Sequence, residues 1–244
     1  MAPVAGQDVR GTLPEGLGDA IRGTAEDIAA LLRGVGDTSV PVPGSEWSVG
    51  AAAAHLAQAN ELMADIAAGH ERAHGDGTAQ SLAAANERAL AEFDEREAGP
   101  LAEMIVAQAA AFLTAADRTA VGRTAVGRTA ADERSAEGTL ATPLGPMSQA
   151  ELGSYLLTHM LGHGYDLARA LGRPHMIDRT RVELSLPFLI RSRRDDRTGR
   201  SIGRCSRIGH VLGGGRCVHP PRGGAVASGA GPLRRHESQP GGPH

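Results

Sequence analysis

A chain of 244 residues is long enough for one large domain or two small ones with a real core, and its 25 basic residues, all arginine, stand against 28 acids for a net charge of −3. That balance is uneven: residues 1–190 hold 14 Arg against 25 Asp and Glu (−11), whereas residues 191–244 hold 11 Arg against 3 acids (+8). The acidic part argues against specific nucleic-acid binding, and the basic tail offers only salt-sensitive, unspecific attraction.

No run of 18 apolar residues occurs, and no basic segment leads into an apolar one at the N-terminus, so neither a membrane span nor a signal peptide is expected and the cytoplasm is the expected location. Both cysteines, Cys205 and Cys217, lie in the tail and give no disulfide framework. Aromatics are scarce, which leaves Leu, Ile, Val, Met and Ala to build the core and favours close-packed helices.

In chain order, residues 17–35 place Ile21, Ala25, Ile28, Leu31 and Leu32 at helical spacing, with Gly34 and Gly36 as stop signals. Ser48 is a plausible N-cap for a second helix reaching about Ala68, whose stripe Ala52, His55, Ala59, Leu62 and Ile66 turns His55 inward or toward a cleft. A third helical element runs from Leu82 to about Ala116, broken or kinked at Gly99–Pro100. The tandem RTAVG at Arg118–Gly122 and Arg123–Gly127 is read as a duplication inside a loop. An extended turn then leads to a helix from about Gln149 to Leu171, opened by the capping-box pair Ser148 and Glu151. Its inward stripe is Leu152, Tyr155, Leu156, His159, His163, Asp166, Leu167 and Ala170.

The expected fold class is all-α, a four-helix bundle followed by a degenerate or disordered C-terminal tail. The division is 15–175 for the bundle, 176–190 for the start of a degenerate C-terminal domain, and 191–244 for an Arg/Gly/Pro-rich tail. The abrupt change of composition after residue 190 is what translation in a shifted frame produces, and in that case Cys205, His210, Cys217 and His219 carry no meaning as a metal cluster.

His159 and His163 stand at i and i+4 on one helix face, and His55 comes from another helix. Each alone is compatible with an ordinary buried histidine. Together they supply three neutral nitrogen donors and leave a fourth tetrahedral position open, the pattern of a catalytic zinc site, although nickel and iron accept the same donors. Asp166 is a candidate to orient an imidazole, and Trp47, Tyr155 and Arg169 are candidate pocket residues; Trp47 also suits a staple at the entry to the second helix.

The segments SEWSVGAAAAHLA (45–57) and HMLGHGYDLARALGRP (159–174) together resemble the N-terminal metal-binding domain of the mycothiol-dependent maleylpyruvate isomerase family, a branch of the DinB-like superfamily, over roughly residues 15–190. The resemblance implies a DinB-like four-helix bundle holding a divalent metal, zinc as a rule, on His55, His159 and His163. It also implies a low-molecular-weight thiol, mycothiol, as cofactor or co-substrate. Its sulfur, held as a thiolate on the metal, either adds to a double bond and leaves again, giving cis-trans isomerisation, or stays attached, giving an S-transferase. Where His159 stands the isomerase pattern commonly has Glu, which favours metal binding over assignment of the isomerase substrate. The expected partners are a small thiol and an electrophile, with no specific nucleic acid and no membrane, and a homodimer through apolar faces is compatible. A non-catalytic metal-binding bundle acting as a sensor or in stress response is the competing reading.

Overall fold

The computed structural model describes residues 13–70, 72, 78–125 and 139–197. The described chain is all-α in character, with six helices: α1 (Leu17–Leu32), α2 (Val49–Ala67), α3 (Ala79–Glu92), α4 (Ala98–Ala125), α5 (Gln149–Ala170) and α6 (Arg179–Arg197). One two-stranded antiparallel ladder, β1 (Thr139–Leu140) with β2 (Met147–Ser148), precedes α5.

Helices α1 and α2 each pack against both α4 and α5, so these four surround one core. The core is aliphatic and alanine-rich, centred on Leu17, Ile21, Ile28, Leu56, Leu101, Ile105 and Phe112, all essentially without solvent exposure. Small side chains let the helices approach closely. At Gly164 of α5 an added Cβ would lie 3.0 Å from Ile28 and 2.7 Å from Met176, so the approach of α1 depends on the missing side chain. Within α4, Ala98–Arg118 is long and apolar enough to cross a membrane by length and composition; here it is the helix against which both α1 and α2 pack.

The expected starts and stops of α1, α2 and α5 agree closely with the structure. Ser48 caps α2 by accepting from the Ala51 amide, and Ser148 and Glu151 form a reciprocal capping box on α5. The third element divides, but not where the proline suggested. The break falls at Phe93–Glu97, where the Arg96 guanidinium folds back onto the carbonyls of Leu90, Phe93 and Glu95 and satisfies the end of α3. Gly99 and Pro100 sit in the first turn of α4, where a missing backbone N–H breaks no helical bond. The first RTAVG copy and the start of the second are helical, continuing α4 to Ala125 rather than forming a loop, because the unit contains no strong helix breaker beyond its glycine. Gly127 lies outside the described residues.

The segment 179–190 is helical, and the boundary drawn at residue 190 falls inside α6. Arg181, Leu184, Ser185 and Phe188 turn toward the rest of the protein at helical spacing, with Pro187 on the exposed side. α6 packs along α5, and Arg181 reaches Asp27 of α1 at 2.6 Å. The tail from residue 198, with Cys205, His210, Cys217 and His219, lies outside the described residues.

Candidate metal centre

The three histidines converge because each stands on the core side of a capped helix. Ser48 fixes the start of α2 two turns before His55, and the Ser148–Glu151 box fixes the start of α5 before His159 and His163. All three side chains are buried, and their candidate ligand atoms lie within 4.8 Å of one another. His55 Nε2 and His159 Nε2 are 3.2 Å apart. Two nitrogens of a tetrahedral zinc site, each about 2.0–2.1 Å from the ion, stand about 3.3 Å apart, so this pair already has the spacing of two ligands. The ring centroids of His159 and His163 are 4.6 Å apart, and those of His55 and His163 5.0 Å. Among the described residues this is the one cluster of such side chains able to hold a metal ion. Three neutral, borderline-soft nitrogens in a buried position suit zinc, nickel or iron far better than the hard ions calcium and magnesium.

Trp47 closes one side of the cluster. Residues 40–49 double back through the bonds Val42 N–H to Trp47 O and Val49 N–H to Val40 O, presenting the indole 4.8 Å from the His55 ring and 6.0 Å from that of His163, stacked on the latter. Trp47 therefore holds the residue before the cap of α2 and also shields two of the imidazoles from water.

The other side opens to a cleft of about 190 Å³ lined by His55 and His159 but not His163. The α2 stripe read from the sequence supplies one wall, with Ala59, Leu62 and Ile66 beside His55. Tyr155 lines the same cleft, its ring centroid 6.2 Å from that of His159, and burial pushes its hydroxyl well above the ordinary tyrosine value, so it stays a protonated donor at neutral pH. Gln58, Arg72, Asn86 and Thr142 also line the cleft and were not singled out from the sequence. Gln58, at i+3 from His55, carried the one available signal; the others arrive from the segment after α2, from α3 and from the turn before β2 by tertiary folding.

Asp166 is half-buried, about one turn beyond His163. Arg169 is exposed, its guanidinium carbon 5.7 Å from the ring centroid of Tyr165, and it is not among the residues lining the cleft. Arg173 donates to the carbonyls of Ala30, Leu31 and Arg33, satisfying the end of α1. His70 is exposed and lies beside Asp65 at 3.3 Å, away from the cluster; His74 is outside the described residues.

Comparison of the chain with family models, with characterised proteins and with solved structures finds no match.

Proposed function

We propose that this chain is a metal-dependent enzyme with a DinB-like four-helix bundle, which uses a low-molecular-weight thiol such as mycothiol in the manner of the maleylpyruvate isomerase family. The observation that carries this reading is the convergence of three buried imidazoles from two helices on a point that borders a cleft. A divalent metal held by His55, His159 and His163 supplies a Lewis-acidic position at which a thiol loses its proton at neutral pH. The chain supplies the surroundings. Trp47 keeps water from one side, Asp166 would orient an imidazole, and Tyr155, which lines the cleft, would donate its hydroxyl to an oxygen of a bound ligand. No cysteine occurs in residues 1–190, consistent with a nucleophile brought in by the small thiol.

Thiol transfer to an electrophile, a detoxifying S-transferase, is the second reading. It is favoured by His159 itself: a third neutral ligand in place of the carboxylate leaves the metal more electrophilic than the isomerase pattern does. Zinc and nickel content of the purified protein beside His55→Ala, His159→Ala and His163→Ala decides the site. Near-stoichiometric metal in the wild type and its loss in each variant is expected; equal metal in all four proteins refutes the site. With metal established, incubation with mycothiol and maleylpyruvate, then with mycothiol and a chlorinated electrophile, separates isomerase from transferase. Inertness in both leaves a metal-binding bundle without catalysis.

A further inference from the structure

The cleft beside His55 and His159 has a charge distribution that restricts what it can hold. Its walls are largely aliphatic, with Leu62, Met63, Ile66, Leu82 and Leu152 among them. Arg72 is the only cation and Glu61 the only acid among the described lining residues. Arg72 is already engaged: its Nε donates to Asp65 Oδ2 at 2.6 Å, a second guanidinium nitrogen donates to the same oxygen, and Glu61 Oε1 lies 3.8 Å away. Among the described lining residues the cleft thus carries one positive and one negative charge, and the positive one is paired with Asp65 behind it. A carboxylate placed there would meet Glu61 and would compete with Asp65 for the Arg72 guanidinium. Two of the remaining polar groups bond within the protein: the Gln58 amide donates to Ala89 O at 2.9 Å and the Thr142 hydroxyl to Gly145 O at 2.6 Å.

We infer that this cleft takes a small uncharged ligand with an apolar body and discriminates against dicarboxylates. The inference rests on the reading of the cleft as the substrate side of the metal centre, and it favours thiol transfer to a neutral electrophile over isomerisation of a dianion. The volume, about 190 Å³, lies below that of clefts for drug-sized ligands, roughly 300–1,000 Å³, and confines the ligand to a compact one. Aliphatic walls stabilise such a ligand by removing apolar surface from water, while in the metal-free protein a dianion loses hydration and meets among the described lining residues one cation, already paired with Asp65.

The test uses two probes of one skeleton that do not react with thiols, neutral dimethyl phthalate and dianionic phthalate, titrated calorimetrically into the full-length protein with and without zinc. The diester is expected to bind at least tenfold more tightly in the metal-free protein, and zinc, a cation with an open position, should narrow the gap by attracting a carboxylate. Leu62→Gln should weaken the diester at least fivefold, and Leu82→Gln provides a second variant on a different helix should the first fold poorly. Glu61→Gln should strengthen phthalate several-fold and leave the diester unchanged, and higher salt should narrow the gap between the probes. Phthalate binding as tightly as the diester without metal overturns the inference. So does binding of neither probe, or diester binding indifferent to both leucine variants. Metal content and thiol dependence are read in the preceding experiment, so their failure leaves this titration decisive for the cleft.

Discussion

At His55, His159 and His163 the core holds three imidazoles where a helical protein ordinarily places aliphatic side chains. Burying polar rings costs free energy unless each nitrogen is satisfied, and a shared cation satisfies three at once. Because the preformed cluster exists only in the folded chain, zinc should raise stability by mass action, by about 2.7 kcal/mol at a free concentration one hundred times the Kd. Urea unfolding with and without zinc measures this, and His163→Ala should abolish the shift; an equal shift in the variant would place the ion elsewhere. Asn60 presents the opposite case. It is fully buried on α2, and among the described residues neither its side-chain oxygen nor its nitrogen has a hydrogen-bond partner. Asn60→Leu, close in shape and apolar, should therefore stabilise the fold by about 1–3 kcal/mol, the desolvation cost of an unsatisfied buried group. A loss of stability on denaturant unfolding would show that Asn60 makes a bond the protein needs. The histidines were legible in the sequence because i, i+4 spacing on an apolar stripe is local information. The cleft's Arg72 and Thr142 were not, since their approach depends on how loops cross the helix ends.

Among the elements, those with chemical punctuation in the sequence were read best. Ser48 and the Ser148–Glu151 pair announce their helices through side chains that satisfy orphan backbone groups. The end of α3 was missed because its punctuation is a guanidinium, Arg96, that reaches back three to six residues, whereas Gly99–Pro100 is compatible with a first helical turn. α6 was missed because LSLPFLI is too short and too apolar to separate helix from strand by period alone. The box on α5 is also where pH acts on stability. Partial burial works to raise the Glu151 carboxyl, but the Ser148 backbone and hydroxyl bonds and the Arg191 guanidinium at 3.1 Å outweigh it and hold the carboxyl below the ordinary value. A lowered native value means that the ionised group stabilises the fold above the unfolded glutamate pKa, about 4.3, and that this is lost as pH falls through the lower native one. Glu151→Gln, which can still accept from the Ser148 amide, should cost about 0.3–1 kcal/mol at pH 7 through the lost charge at a helix N-terminus. The gap between variant and wild type should close in acid. Parallel unfolding curves at pH 7 and pH 3 check this, and a gap that persists at pH 3 would assign the loss to packing.

Across the whole molecule, α6 connects parts of the chain that no local pattern of residues joins. It lies on α5, ties to α1 through Arg181 and Asp27, and reaches the start of α5 through Arg191, which bonds Glu151 and, at 2.6 Å, the Pro146 carbonyl. Phe188 is its anchor, 4 % exposed, with its ring centroid 4.7 Å from that of Tyr155, which in turn stands beside His159. The histidine cluster is therefore backed by a helix that contributes none of its three imidazoles. Phe188→Ala should destabilise the protein by about 3–5 kcal/mol, the range for a large buried aromatic, yet leave metal stoichiometry intact, because every histidine and both capped helix starts remain. Urea unfolding paired with metal analysis of the folded variant separates the two effects. Phe188→Leu, which fills most of the space, should recover much of the stability. An unchanged unfolding midpoint in Phe188→Ala would make α6 an appendage, whereas loss of metal at full folding would make Tyr155 and its aromatic support part of what holds His159 in place.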